Sequence, residues 1–92
     1  MTRIDWTDAA LSDLQRLDDF LAPVNSPAAA RTVQSLVAAP ERLLDHPRLG
    51  EPLEEFAPRE IRRLIVGLYE LRYEVGGDKL SILRVFHARE DR

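Results

Sequence analysis

The sequence predicts an α+β fold: a short N-terminal strand and a helical hairpin packed on an antiparallel C-terminal sheet, in the order β-α-α-β-β-β. Three observations predict it. Ninety-two residues, 45% hydrophobic and 32% charged, with six Pro and four Gly, are the composition of one small globular domain spanning 1–92. Apolar residues recur at spacings of three and four in the first half. In the second half they alternate with polar ones, around a Gly76-Gly77-Asp78 turn signal.

Arg3 to Trp6 alternates polar and apolar and reads as the short strand. Thr7 follows as a helix N-cap, with Asp8 facing the positive end of the helix dipole. Leu11, Leu14, Leu17 and Leu21, with Ala10 and Phe20, form one apolar stripe over about residues 8–22. Asp13, Arg16, Asp18 and Asp19 fall off that stripe and are expected on a solvated face. Trp6, beside the helix start, is expected to staple it to the core. Pro23 stops the helix. Ser26-Pro27 reads as N-cap and first helical residue of a second helix, with Ala29, Val33, Leu36, Val37, Leu43 and Leu44 on one side. Pro40 cannot donate to the carbonyl of Leu36, so that helix either kinks or ends and restarts at Glu41. His46-Pro47 closes the element.

Gly50 to Pro58 is expected to be a connecting loop pinned by Leu53 and Phe56. Ile61 to Val66 is β-branched and apolar, with Arg62 and Arg63 pointing to opposite faces. Leu68 to Val75 alternates, and Lys79 to His87 is the last strand. A Gly76-to-Asp78 loop pairs Val75 with Lys79, Leu71 with Leu83, Tyr69 with Val85 and Glu70 with Arg84. This register separates a core face (Tyr69, Leu71, Tyr73, Leu83, Val85) from a mixed one (Leu68, Glu70, Arg72, Leu80, Ile82, Arg84, Phe86). An Arg-bearing, partly apolar open face is a place for a partner.

The chain has no Cys, which excludes disulfide scaffolds, thiolate metal sites and Cys nucleophiles. No apolar run is long enough to cross a membrane, and residues 1–6 lack a signal-peptide core, so a cytoplasmic protein is expected. Thirteen basic and 16 acidic residues give net −3; of the basic ones only Lys79 is a lysine. The deficit lies entirely in residues 1–46, and residues 47–92 are neutral. Such a balance disfavours non-specific nucleic-acid binding. There is no Walker sequence, no dinucleotide fingerprint and no paired His set, so no cofactor or metal is expected. Gly76-Gly77 is a turn rather than a phosphate cradle. His46 reads as a surface residue, and Glu54-Glu55 as a loop charge pair. His87 ends the last strand, either with its ring satisfied there or as a general acid or base beside Arg84 and Arg89.

In this order the pieces resemble the RelE/ParE superfamily of bacterial toxins, over nearly the whole chain. The matching stretches are Trp6 to Leu14, His46 to Pro52, Ile61 to Val75 and Ile82 to Arg89, ending in His87-Ala88-Arg89. The resemblance implies a toxin of a type II toxin–antitoxin pair, in a hetero-oligomer with a cognate antitoxin that wraps and neutralises it. RelE-like members cut mRNA on the ribosome using basic residues of the sheet and often a C-terminal Tyr or His; here that set would be Arg63, Arg72, Arg84, His87 and Arg89. ParE-like members poison DNA gyrase and need no catalytic set. Glu70 falls where the ribonuclease pattern has an Arg, and its C-terminal Tyr has no counterpart. The resemblance therefore favours the ParE-like branch, with no catalytic residue assigned. Arg63, Arg72, Arg84, Phe86, His87 and Arg89 become candidates for target or antitoxin binding. A ribosome-dependent endoribonuclease is the alternative, and a non-toxic antitoxin-binding module a further one. The arginine bias and near-neutral sheet half suit a protein-directed toxin.

Overall fold

The computed structural model describes residues 2–88. Strand β1 (Arg3–Trp6) leads into helix α1 (Asp8–Leu21), helix α2 (Ser26–Ala38) and the one-turn helix α3 (Arg42–Asp45). Four strands follow: β2 (Glu51–Pro52), β3 (Ile61–Val66), β4 (Tyr69–Gly76) and β5 (Lys79–His87). The five strands form one sheet in the order β1-β5-β4-β3-β2. The β2 to β5 pairings are antiparallel, and β1 joins β5 in parallel. Among the described residues no helix is long and apolar enough to cross a membrane.

Helices α1 and α2 each begin where a side chain satisfies an otherwise orphaned backbone N–H. Thr7 accepts from the amide of Ala10 and also donates its hydroxyl toward the Ile82 and Leu83 carbonyls, at 2.9 and 3.1 Å. It therefore starts α1 and ties it to β5. The cap of α2 is Asn25, which accepts from the Ala28 amide, rather than Ser26; Pro27 sits inside the first turn. At Pro40 the second helix ends and restarts: α2 stops at Ala38, Ala39–Glu41 form a 3-10 turn, and α3 follows. Proline removes one ladder bond, and the tighter turn absorbs the change of direction.

The helices bury Ala10, Leu14, Leu17, Leu36 and Leu43 against Leu64, Leu71, Tyr73, Leu80, Ile82 and Val85 of the sheet, with Trp6 packed beside them. Tyr73 is fully buried; its hydroxyl donates to the Pro47 carbonyl at 2.7 Å and accepts from the Gly50 amide at 2.9 Å. This locks the segment after α3 onto the sheet. The expected loop after Gly50 in fact starts with strand β2, whose Glu51 and Pro52 oppose Arg63 and Arg62. Arg62 donates to the Gly50 carbonyl at 2.7 Å while Arg63 turns the other way to Glu51, as strand alternation requires.

The last hairpin differs from the expected register. Its loop is two residues, Gly77-Asp78, with Gly76 opposite Lys79. Gly77 takes φ +52, the left-handed geometry a two-residue hairpin needs and a glycine supplies without strain. Leu83 then forms a bulge, so Tyr73 opposes Ile82 while Arg72 opposes Arg84. The shift and the bulge place Leu80 and Ile82, expected on the mixed face, in the core, and Leu83 outside it. Glu70 opposes Phe86 rather than Arg84. Leu68, expected in a strand, belongs to a second glycine-led turn, Gly67-Leu68, with Gly67 at φ +60.

Candidate functional site

Helices cover one face of the sheet. Alternation sends Arg63 of β3, Glu70 and Arg72 of β4, and Arg84 and Phe86 of β5 to the opposite, open face. Glu70 is 2% exposed there. Its carboxylate accepts from Arg72 Nε at 2.7 Å and lies 3.6 Å from Arg63 Nη1. Arg63 in turn donates to Glu51 Oε2 from Nε and Nη2, at 3.0 and 2.8 Å, which holds its pKa above the usual arginine value. Arg72 and Arg84 face each other across the two strands, a like-charge pair that would repel alone. The Phe86 ring takes both guanidiniums on its π system, with their carbons 5.2 and 4.9 Å from its centroid. Arg84 also reaches around the sheet edge to Asp13, at 2.8 and 3.0 Å.

Asp13 is the residue the sequence reading misplaced. Expected on a solvated face, it is 4% exposed. Strand β1 accompanies β5 only as far as Ile82, beyond which the outer edge of β5 would be bare. Helix α1 takes over that edge. Asp13 accepts the Val85 amide at 2.8 Å, and Arg16 donates to the Val85 carbonyl at 3.3 Å and to Asp13 at 3.3 Å. Burial alone would push the Asp13 carboxyl up. The Arg84 hydrogen bonds, the Val85 amide and the two positive charges outweigh it and hold the group below the usual carboxylate range. Only the Asp13–Arg16 spacing was visible in the sequence; its partners lie about seventy residues away.

The structure thus brings Arg63, Arg72, Arg84 and Phe86 together and leaves His87 apart. His87 opposes Tyr69 and meets its ring edge-on, centroids 5.2 Å apart, on the helix-facing side. There it lines a groove of about 660 Å³ with Arg16, Leu17, Phe20, Leu21, Leu68 and Tyr69. Arg89 lies outside the described residues. RNA cleavage by 2′-hydroxyl attack needs a base, an acid and a cation at one phosphate. Arginine stays protonated in water and cannot serve as the base. Among the described residues, no His or Tyr shares the open face with these arginines. Nor do three or more His, Asp or Glu side chains gather as a metal site among them. What the open face does offer is a pre-ordered surface of guanidinium, carboxylate and aromatic groups, each held by its neighbours.

Three comparisons bear on what carries such a surface. Residues 4–92 match the family described as the ParE toxin of type II toxin–antitoxin systems, parDE. A curated protein of Caulobacter vibrioides named Toxin RelE2 is 32% identical over 89 residues, covering 96% of this chain and 97% of that one. A solved structure of a chromosomal ParDE toxin–antitoxin system from P. aeruginosa superposes with a TM-score of 0.78 at 24% identity, over 95% of this chain and 96% of the other, and so shares the fold. The chain belongs to the ParE toxin family of type II toxin–antitoxin systems.

Proposed function

We propose that this toxin poisons DNA gyrase through the open sheet face and is neutralised by a cognate antitoxin. The observation that carries the reading is the state of the open-face arginines. Arg63, Arg72 and Arg84 are each committed to a carboxylate, Glu51, Glu70 or Asp13, and the Phe86 ring holds two of them. A nuclease needs cations directed at a scissile phosphate and a proton-transfer group beside them. A protein-binding surface needs ordered arginine and aromatic anchors with their charges already compensated. The arrangement supports the second requirement, and His87, the proton-transfer candidate, faces the other way.

Purified toxin is expected to inhibit gyrase supercoiling and to stabilise cleaved DNA, with inhibition relieved by the antitoxin. Arg72→Ala and Phe86→Ala are each expected to raise the half-inhibitory concentration about tenfold or more, the scale of losing an interface anchor. Full supercoiling at saturating toxin, together with mRNA cleavage on ribosomes that is lost in His87→Ala, would replace this reading with the endoribonuclease one. Normal growth on expression without antitoxin would replace it with a non-toxic binding module.

A further inference from the structure

The pairing register sets two rows of side chains across the open face. Glu51 of β2 opposes Arg63 of β3, Arg63 opposes Arg72 of β4, and Arg72 opposes Arg84 of β5, so three arginines stand in line on neighbouring strands. The adjacent row runs Ile65, Glu70, Phe86. Strands lie about 4.8 Å apart, so the three arginines start as a ladder of mutually repelling charge. Alone, such a ladder is a track for a phosphate backbone, because a guanidinium forks onto phosphate oxygens. The same face supplies what cancels it. Glu51 accepts from Arg63 Nε and Nη2 at the end of the row, at 3.0 and 2.8 Å. Glu70 accepts from Arg72 Nε at 2.7 Å and lies 3.6 Å from Arg63 Nη1. Asp13 holds Arg84, but it also accepts the Val85 amide and so serves the fold. Glu70 is 2% exposed and has lost nearly all its hydration, a cost that a neutral strand residue would not carry, so stability alone does not account for it.

We propose that Glu51 and Glu70 are specificity-determining residues of the open face: they spend the charge of the arginine row, so that the face rejects nucleic-acid phosphate and stays available to a protein. The inference rests on the reading of the open face as the recognition surface, and not on which protein it meets. A wrong partner is rejected by withheld attraction or by added repulsion, and these two carboxylates supply both. An incoming phosphate must displace Glu51 from Arg63 or Glu70 from Arg72, and it meets their negative charge as it does so. A protein partner packs on exposed Ile65 and on the ordered guanidiniums and leaves the pairs intact.

The test is fluorescence anisotropy of a labelled single-stranded RNA of about 20 nucleotides, titrated with the full-length toxin in about 0.1 M salt. The wild type is expected to bind it with a Kd above about 10 µM. Glu70→Gln is expected to tighten binding about tenfold and Glu51→Gln about fivefold, and the salt dependence should steepen by about 0.7 in log–log slope for each guanidinium released. Glu41→Gln, between α2 and α3, makes the same charge change away from the face and is expected to stay within about twofold of wild type. Adding Arg72→Gln to Glu70→Gln is expected to remove the gain, because the arginine row carries it. The Glu51 side chain is 63% exposed, so Glu51→Gln keeps the fold and decides the question even where Glu70→Gln lowers the melting temperature. Binding by Glu51→Gln within about twofold of wild type would overturn the inference, as would a wild type that already binds below about 10 µM. A gain that Glu41→Gln reproduces, or that Arg72→Gln leaves in place, would overturn it as well. A toxin that spares gyrase while Glu51→Gln gains RNA affinity would overturn the target reading and leave this one standing; a toxin that poisons gyrase while Glu51→Gln gains none would do the reverse.

Discussion

The two faces of the sheet hold their charges in opposite ways. On the open face Arg63, Arg72 and Arg84 are locked to Glu51, Glu70 and Asp13, and the Phe86 ring meets the guanidiniums of Arg72 and Arg84. On the helix side, in the half of the chain that carries the whole negative excess, Arg31 has no side-chain partner among the described residues and lines a hollow with exposed Leu68. The regional charge balance therefore points away from where uncompensated positive charge sits. A locked face is rigid and presents one shape; an uncompensated charge stays open to a partner. Net charge reports long-range steering, whereas recognition depends on which charges have been used up.

The largest way to break the comparison is to unlock the seam that joins the two sides. Asp13→Ala leaves the Val85 amide without its acceptor and Arg84 without its anchor, and is expected to cost about 2–4 kcal/mol of unfolding free energy. Urea denaturation measures the loss, and hydrogen exchange at Val85 locates it. The same group sets an acid limb. Its pKa is lowered in the folded state, so its stabilisation is fully present above the unfolded carboxylate value and disappears as pH falls through the folded one. The difference in urea midpoint between wild type and Asp13→Asn should accordingly shrink as the solution is acidified below about pH 4.

Gly50→Ala comes next. A Cβ there would meet the Arg63 carbonyl at 2.6 Å and the Tyr73 ring and hydroxyl at 2.8 Å. Both neighbouring residues belong to strands, so the segment must move, and the melting temperature should fall with a loss of about 1–3 kcal/mol. A smaller effect is expected from Glu51→Ala on β2. It releases Arg63 from an exposed pair worth about 0–1 kcal/mol and sharpens the question of whether locking the open face matters for target binding more than for stability. The smallest is Arg31→Ala, expected to shift stability by less than about 0.5 kcal/mol, because no described group depends on it. A large loss of stability there would place Arg31 in the fold rather than in recognition.

Much of the fold was legible because it is written in local periods. The stripe of Leu14 and Leu17, the cap at Thr7, the break at Pro40 and the strands after Glu60 each follow from spacing, capping or a missing amide. The hairpin register was not legible. Gly76-Gly77-Asp78 permits loops of different length, and the bulge at Leu83 forms where β5 must both pair with β4 and meet α1. Leu80 and Ile82 changed faces as a consequence, since a shift of one residue inverts a strand. Of the candidate site, the open-face grouping of Arg63, Arg72, Arg84 and Phe86, and the separation of His87 from it, could both be read from alternation. Asp13 and Arg31 were both invisible as special residues, one hidden among surface acids and the other among surface bases.

By itself the sequence determined the element order, the family resemblance and the kinds of side chain each element would present. Those depend on neighbours a few residues apart and on composition. Only the tertiary structure decided which charges are spent. A carboxylate is spent when another segment brings a guanidinium or amide within about 3 Å, as β5 does for Asp13, and that meeting depends on how distant strands and helices pack.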